Sequence, residues 1–252
     1  MTMLELALLF VAATTAGAIN AVAGGGSFIS FPALLLAGVP PISANATNTT
    51  ALWPGSAASV GAYRRELAHQ RGEIILFSGF SLVGGLLGAL LLLRTREAVF
   101  EQLIPYLLLL ATVVFAISPW LTRLARQLGA DGGGWLKRAG ILGLYLAIAI
   151  YGGFFGAGLG ILTLAALALL GQENIHEMNA LKTLQATLVN GVAVAAFVFA
   201  GVVQWPVALL MTTGAIAGGY GGAAIARRID PRLVRAGVIV LSLALTAYFF
   251  IR

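Results

Sequence analysis

The chain of 252 residues is 60% hydrophobic and only 10% charged, well above the roughly half apolar content of a soluble domain, and it reads as an all-α polytopic membrane protein. It has no cysteine, which excludes disulfides, thiolate chemistry and sulfur-ligated metals, and its two histidines, His69 and His176, are too few for a metal cluster. The net charge of +6 does not mark a nucleic-acid binder, because the basic residues stand at segment ends without interleaved aromatics, where the topology of a bilayer protein accounts for them.

Apolar segments long enough to cross a hydrocarbon core of roughly 30 Å as helices cover residues 4–22, 43–63, 74–93, 98–118, 139–155, 178–199, 207–226 and 233–251. Two shorter ones occupy 27–37 and 159–170. Apolar runs of about ten to fourteen residues fall short of a standard span and predict broken or re-entrant helices. All of these runs are continuous rather than alternating, which disfavours the strands of a barrel. Ala21-Val22-Ala23 resembles a signal cleavage site, but the first five residues contain Glu5 and no Lys or Arg, so a retained helix is expected.

The chain repeats itself at an offset of about 134 residues. Gly24-Gly25-Gly26 and the run from Pro32 to Gly38 lie opposite Gly156-Ala157-Gly158 and the run from Ala165 to Gly171; Asn45, Asn48 and Thr49 lie opposite Asn179, Lys182 and Thr183; Gly84 and Gly88 lie opposite Gly218 and Gly222. Each copy has five segments in the order long, short, long, long, long. The expected division is an N-terminal transmembrane repeat at 1–118, a cytoplasmic linker at 119–138 and a C-terminal transmembrane repeat at 139–252.

Charge orients the copies. With ten crossings one face collects Arg64, Arg65, Arg71, Arg123, Arg126, Lys137, Arg138, Arg227, Arg228, Arg232 and Arg235, against Arg94, Arg96 and Arg252 on the other. Eight crossings would spread them almost evenly, so the positive-inside rule favours ten. Five crossings per copy is an odd number, and the copies are then inverted relative to one another. Inverted repeats with a broken segment at matching positions are a recurring plan of secondary transporters, whose unwound backbone lines a site near the membrane midplane.

Candidate binding residues follow from that plan. Gly24, Gly25, Gly26, Gly156 and Gly158 allow positive φ and leave backbone amides uncovered, and a helix starting at Ser27 aims its positive dipole end at the break, where a small anion fits. Asn20 precedes the first break and is placed to orient it. On a helix Asn45, Asn48 and Thr49 share a face, as do Asn179, Lys182 and Thr183, and inversion brings the two faces together. Amides and hydroxyls hold an oxyanion without the full desolvation cost of an ion pair. Lys182 is the sharpest single residue, since a cation in a membrane segment is costly and serves a cavity, a partner or the interface; it is expected about four residues into its helix. His176 and Glu177 at the mouth of the second copy are candidates for proton coupling. For Gly84/Gly88 and Gly214/Gly218/Gly222 the GxxxG spacing favours close helix packing over ligand binding.

With Gly24 to Gly26, Pro32, Leu34 to Leu36, Gly38, Ala46 and Thr47, and a second copy running from Gly152 through Gly160 to Gly171 and from Asn179 to Thr183, the chain resembles the sulfite exporter TauE/SafE family of membrane permeases over nearly its whole length. Ala165 stands where the family's second motif has proline, and Lys182 where it has neutral residues. The resemblance implies export of small sulfur oxyanions and related acids, with sulfite, organosulfonates and thiosulfate as candidates, across the bacterial inner membrane by a multi-pass protein.

The expected function is thus a secondary transporter of a small anion embedded in the lipid bilayer. No cofactor is expected, since the GxxxxGK[ST] signature of nucleotide binding is absent. An intramembrane hydrolase is disfavoured by the lack of a GxSxG nucleophile. A passive anion channel, or a carrier for another small organic anion, would share the polar lining, and a homo-oligomer is compatible with the sequence.

Overall fold

The computed structural model describes residues 1–22, 25–68, 70–129, 135–172, 174–226 and 231–251. Every regular element among them is a helix: α1 (Met3–Val22), α2 (Ser27–Leu36), α3 (Pro41–Ala62), α4 (Arg64–Leu67), α5 (Arg71–Arg94), α6 (Glu97–Gly129), α7 (Trp135–Phe154), α8 (Leu159–Leu169), α9 (Ile175–Phe199), α10 (Trp205–Ala226) and α11 (Pro231–Ile251). The two short apolar runs are indeed short helices, of 10 residues in α2 and 11 in α8.

Four helices among the described residues are long and apolar enough to cross a membrane, with spans at Met3–Asn20, Arg71–Arg94, Glu97–Leu128 and Ile175–Phe199. α3 is 22 residues long, but its row of Asn and Thr lowers its hydropathy. Large apolar side chains cover the outside of the long helices: on α5 Leu82, Val83, Leu86, Leu87, Leu90 and Leu91 are all exposed. Water would penalise a surface of this kind and lipid would not. The protein is a membrane protein on both grounds.

The 33 residues of α6 measure roughly 50 Å at 1.5 Å per residue. The first part of the expected linker, 119–129, is therefore the continuation of α6, which runs through Pro105 and Pro119 as helix. Residues 130–134 lie outside the described residues.

The chain forms two compact units, one of Met1–Gly55, Leu92–Val113 and Phe197–Arg252, the other of Ser56–Leu91 and Val114–Ala196. Each draws on both halves of the sequence, so the units cut across the division at 118 and 139. In the first, α1 packs along α10, and α2 against α1 and α11. The α1–α10 crossing is set by small residues: a Cβ on Gly17 would run into the Ala215 carbonyl, and one on Gly218 into the carbonyl of Thr14. In the second unit α5 and α7 meet the same way, where a Cβ on Gly88 would strike the Ile150 carbonyl and one on Gly153 the carbonyl of Gly85. Backbones approach this closely in membranes only through small residues. Gly84, Gly88, Gly214 and Gly218 thus have the packing role that their spacing predicts.

The core of the second unit gathers Phe77 of α5, Tyr145 and Ile148 of α7, Leu159 and Leu167 of α8 and Leu181 and Val189 of α9. The Phe77 and Tyr145 rings meet edge to face at 4.8 Å.

Candidate functional site

Each short helix is framed by glycines with positive φ. Gly25 (φ 100°) precedes α2 and Gly38 (φ 76°) follows it; Gly158 (φ 78°) precedes α8 and Gly171 (φ 82°) follows it. These are conformations in which a Cβ would be strained, and glycine enters them freely. The closing turns are alike as well. Val39 N–H donates to Leu34 O and Gly38 N–H to Leu35 O, while Gln172 N–H donates to Leu167 O and Gly171 N–H to Ala168 O, the Schellman pattern in both.

At the first break, Gly26 N–H donates to Asn20 Oδ1 at 2.8 Å, so Asn20 orients the backbone as its position before the glycines predicts. Gly26 has no room for a side chain, since its Cβ would meet the Ala16 carbonyl. Phe28 N–H is taken by Gly25 O, and the amides of Ile29 and Ser30 by Gly26 O. Fewer first-turn amides are left over than a helix start at Ser27 predicts. Gly24 lies outside the described residues.

On α3, Asn45 and Asn48 are 2% and 3% exposed. They are interior groups, not lipid-facing ones. The Asn48 Oδ1 acceptor is buried without a hydrogen-bond partner among the described residues. Thr47 Oγ1 accepts from Gln204 N–H at 3.0 Å, a link from α3 to the residue before α10. Thr49 Oγ1 donates to Asn45 O at 2.9 Å, which spends its proton on the helix's own backbone.

At the second break, the Tyr151 carbonyl accepts from the amides of both Phe155 and Gly156 and ends α7. Its hydroxyl reaches forward to donate to Ala157 O at 2.7 Å. Asn190 of α9 flanks this turn, its Oδ1 standing 3.6 Å from where a Cβ of Gly156 would be. At the second residue of α8, a Cβ on Gly160 would lie 3.3 Å from Cδ of Lys182. The lysine stem therefore lies across the start of α8, and its Nζ donates to Asn179 Oδ1 at 3.1 Å. Lys182 is partly buried. α9 begins at Ile175 rather than 178, so Lys182 stands two turns inside the helix, deeper than expected from the sequence. Thr183 Oγ1 donates to Asn179 O at 2.8 Å, as Thr49 does to Asn45.

The structure thus brings Lys182, and through its Nζ Asn179, to Gly160 at the start of α8, Asn190 to Gly156 at the end of α7, and Asn20 to Gly26 before α2. Lys182 is not paired with Glu177: Glu177 Oε1 accepts from Asn174 Nδ2 at 3.0 Å, while Asn174 Oδ1 accepts from His176 N–H at 3.1 Å. Asn174 thus caps the first turn of α9 through its side-chain oxygen, with Glu177 bracing the amide, and Asn174 followed three residues later by Glu177 is a sequence signal for such a helix start. Glu173, the other carboxylate near the start of α9, lies outside the described residues.

A further buried polar cluster had no signal in the sequence. Ser81 Oγ of α5 lies 2.6 Å from Tyr145 OH of α7 and donates to Gln185 Oε1 of α9 at 2.7 Å. No group of at least three His, Asp or Glu side chains that could hold a metal ion occurs among the described residues.

The model of the sulfite exporter TauE/SafE family matches residues 9–249. A probable membrane transporter protein of Haemophilus influenzae is 31% identical over 245 residues, covering 96% of this chain and 93% of that protein. The probable membrane transporter proteins ORF9 of Sinorhizobium and YfcA of Escherichia coli K12 are each 30% identical over 245 residues. They are covered to 90% and 89% of their lengths, with 95% and 97% of this chain matched. No solved structure matches the chain significantly. An all-helical membrane chain with a glycine-framed short helix in each half, matched almost end to end, belongs to the sulfite exporter TauE/SafE family of membrane transporters.

Proposed function

We propose that the protein is a secondary transporter that moves a small sulfur-containing anion, of the sulfite, organosulfonate or thiosulfate class, out across the bacterial inner membrane. Transport proceeds by alternating access between two inverted five-segment repeats. The matching frames of α2 and α8, each opened and closed by a positive-φ glycine, support the repeat, and the family supports the substrate class.

The observation that carries the reading is Lys182. A cation two turns inside a membrane helix is retained against a considerable cost only when something offsets it, and among the described residues Lys182 is held by a neutral amide, Asn179, and by no carboxylate. Its charge is left for an anion. Asn179 and the Gly158 backbone complete the binding group, the Gly156 amide being taken by the Tyr151 carbonyl, with Asn20, Gly25, Gly26, Ser27, Asn45, Asn48 and Thr49 as the counterpart in the first repeat. An inside-negative potential drives an uncoupled anion outward by about 2.3 kcal/mol per charge per 100 mV.

Thermal stability of the purified protein against sulfite, thiosulfate, sulfoacetate, taurine, sulfate and neutral controls tests the substrate class, since a ligand of the folded state raises Tm by mass action. Counterflow in proteoliposomes loaded with the stabilising anion then tests the mechanism. A carrier shows uptake accelerated by anion on the far side. Absence of any stabilisation by the panel would overturn the substrate class, and flux without acceleration or saturation would make the protein a channel.

A further inference from the structure

The anion-binding reading of the second break rests on its backbone pointing the right way, and one side chain outside the binding group controls that. Tyr151 contacts the break twice. Its carbonyl accepts the last amides of α7, from Phe155 and Gly156, and its hydroxyl donates to the carbonyl of Ala157 at 2.7 Å. Ala157 and Gly158 share a trans peptide, in which C=O and N–H point in opposite directions. With the oxygen held toward the Tyr151 ring, the Gly158 N–H is turned away from it. Among the described residues no acceptor takes that N–H, nor the N–H of Gly160 two residues on, a residue whose Cα faces the Lys182 stem.

The first break is wired in the opposite sense. There a side-chain acceptor, Asn20 Oδ1, captures an N–H, that of Gly26; here a side-chain donor captures a C=O and leaves an N–H over. The repeat counterpart of Lys182 is Asn48, which is neutral and presents a buried oxygen without a partner among the described residues. Both differences favour the second break for a negative ligand.

We propose that Tyr151 is a positioning residue for the anion: by holding the Ala157 carbonyl it aims the Gly158 amide, so that the substrate oxyanion is bound by the break before α8 with Lys182, and not symmetrically by both breaks. This rests on the anion-transport reading above. It assigns the two glycine breaks different work despite their shared sequence pattern.

The test compares Tyr151→Phe, 3-fluorotyrosine at position 151 and Ser81→Ala with wild type, reading apo Tm and the sulfite or thiosulfate concentration that half-saturates the Tm rise and the counterflow rate. Tyr151→Phe removes only the hydroxyl. It is expected to raise the half-saturating concentration about five- to tenfold, the worth of one hydrogen bond, with maximal flux retained. Replacing Tyr151 by 3-fluorotyrosine, which keeps the hydroxyl at its full reach and makes it a stronger donor, is expected to hold the half-saturating concentration at or below that of wild type and serves as the readout if the phenylalanine variant does not fold. Ser81→Ala, which breaks a hydrogen bond away from the break, lowers Tm and leaves the half-saturating concentration unchanged. If Tyr151→Phe behaves like Ser81→Ala, or the fluorotyrosine variant binds as weakly as phenylalanine, Tyr151 is structural only and the proposal is overturned. If wild type itself responds to no anion, the transport reading fails first and takes this one with it.

Discussion

Lys182 Nζ sits 3.1 Å from Asn179 Oδ1, three residues back on the same helix. The pair is held over the start of α8 by the contact of the lysine stem with Gly160. Lys182→Met keeps the apolar stem and removes the charge. Hydrogen bonds to charged groups contribute about 1.5–3 kcal/mol, so the anion concentration for half-saturation is expected to rise roughly ten- to a hundredfold. Apo stability should change little, because the methionine loses one link to a neutral amide. Wild-type anion affinity in Lys182→Met would remove Lys182 from the site.

Gly160 gives a subtler handle on the same group. Its missing Cβ would press on Lys182 Cδ at 3.3 Å, the flexible part of a long side chain, so Gly160→Ala is accommodated by moving the lysine rather than by breaking the fold. Alanine favours the helix. The displaced rotamer costs on the order of 0.5–1.5 kcal/mol, which predicts a two- to tenfold loss of anion affinity at unchanged or higher Tm. A fall in Tm with full affinity would contradict this placement of the lysine stem.

Two glycines on α5 should separate packing from propensity. A Cβ at Gly88 meets the Ile150 carbonyl, whereas at Gly79 nothing lies within 4 Å. Gly88→Ala must push α5 and α7 apart and is expected to cost about 1–3 kcal/mol; Gly79→Ala is expected to be neutral or mildly stabilising, by up to about 1 kcal/mol. Equal Tm for the two variants in detergent would show that α5 and α7 are not in backbone contact.

Glu97, at the first turn of α6, accepts the Ile42 N–H of α3 at 2.8 Å. It caps a helix to which it does not belong. A carboxylate at a helix N-terminus also meets the positive end of the dipole, so Glu97→Ala should lower stability by about 0.5–2 kcal/mol. Glu97→Gln, which keeps an oxygen acceptor, should recover more than half of that. The comparison is read as Tm at constant lipid and detergent, and equal losses in both variants would mean that the link is not what stabilises α3.

What the sequence made legible here was local. The limits of α2 and α8 could be read because glycines with a required backbone conformation frame an apolar run too short to span. Asn20, six residues before Gly26, was close enough to be tied to the break. The extension of α6 was not legible, since Pro119-Trp120 followed by Arg123 and Arg126 reads as the end of a span; yet proline ends a helix only where the neighbours cannot absorb the lost hydrogen bond. The start of α9 could have been read from Asn174 and Glu177, and with it the depth of Lys182. Tyr151 was hidden because its partner is a backbone carbonyl, which no residue type announces.

Ser81, Tyr145 and Gln185 were hidden for a different reason, being joined across 64 and 104 residues of chain. Their geometry makes the last prediction. With Ser81 donating to Gln185 Oε1, Tyr145 donates to Ser81, and the buried Gln185 Nε2 remains without a partner among the described residues. Turning the amide over would leave both the glutamine oxygen and the tyrosine hydrogen unmet, so the observed orientation is the less costly one. Ser81→Ala strips Gln185 of its one remaining bond and should cost about 1–3 kcal/mol. In the Gln185→Met background the same substitution has less left to orphan, because the amide is gone and the volume is kept. The two losses should therefore combine less than additively, with a coupling of about 0.5–3 kcal/mol. Strict additivity in this double-mutant cycle would mean that the serine and the glutamine do not share a hydrogen bond in the folded protein.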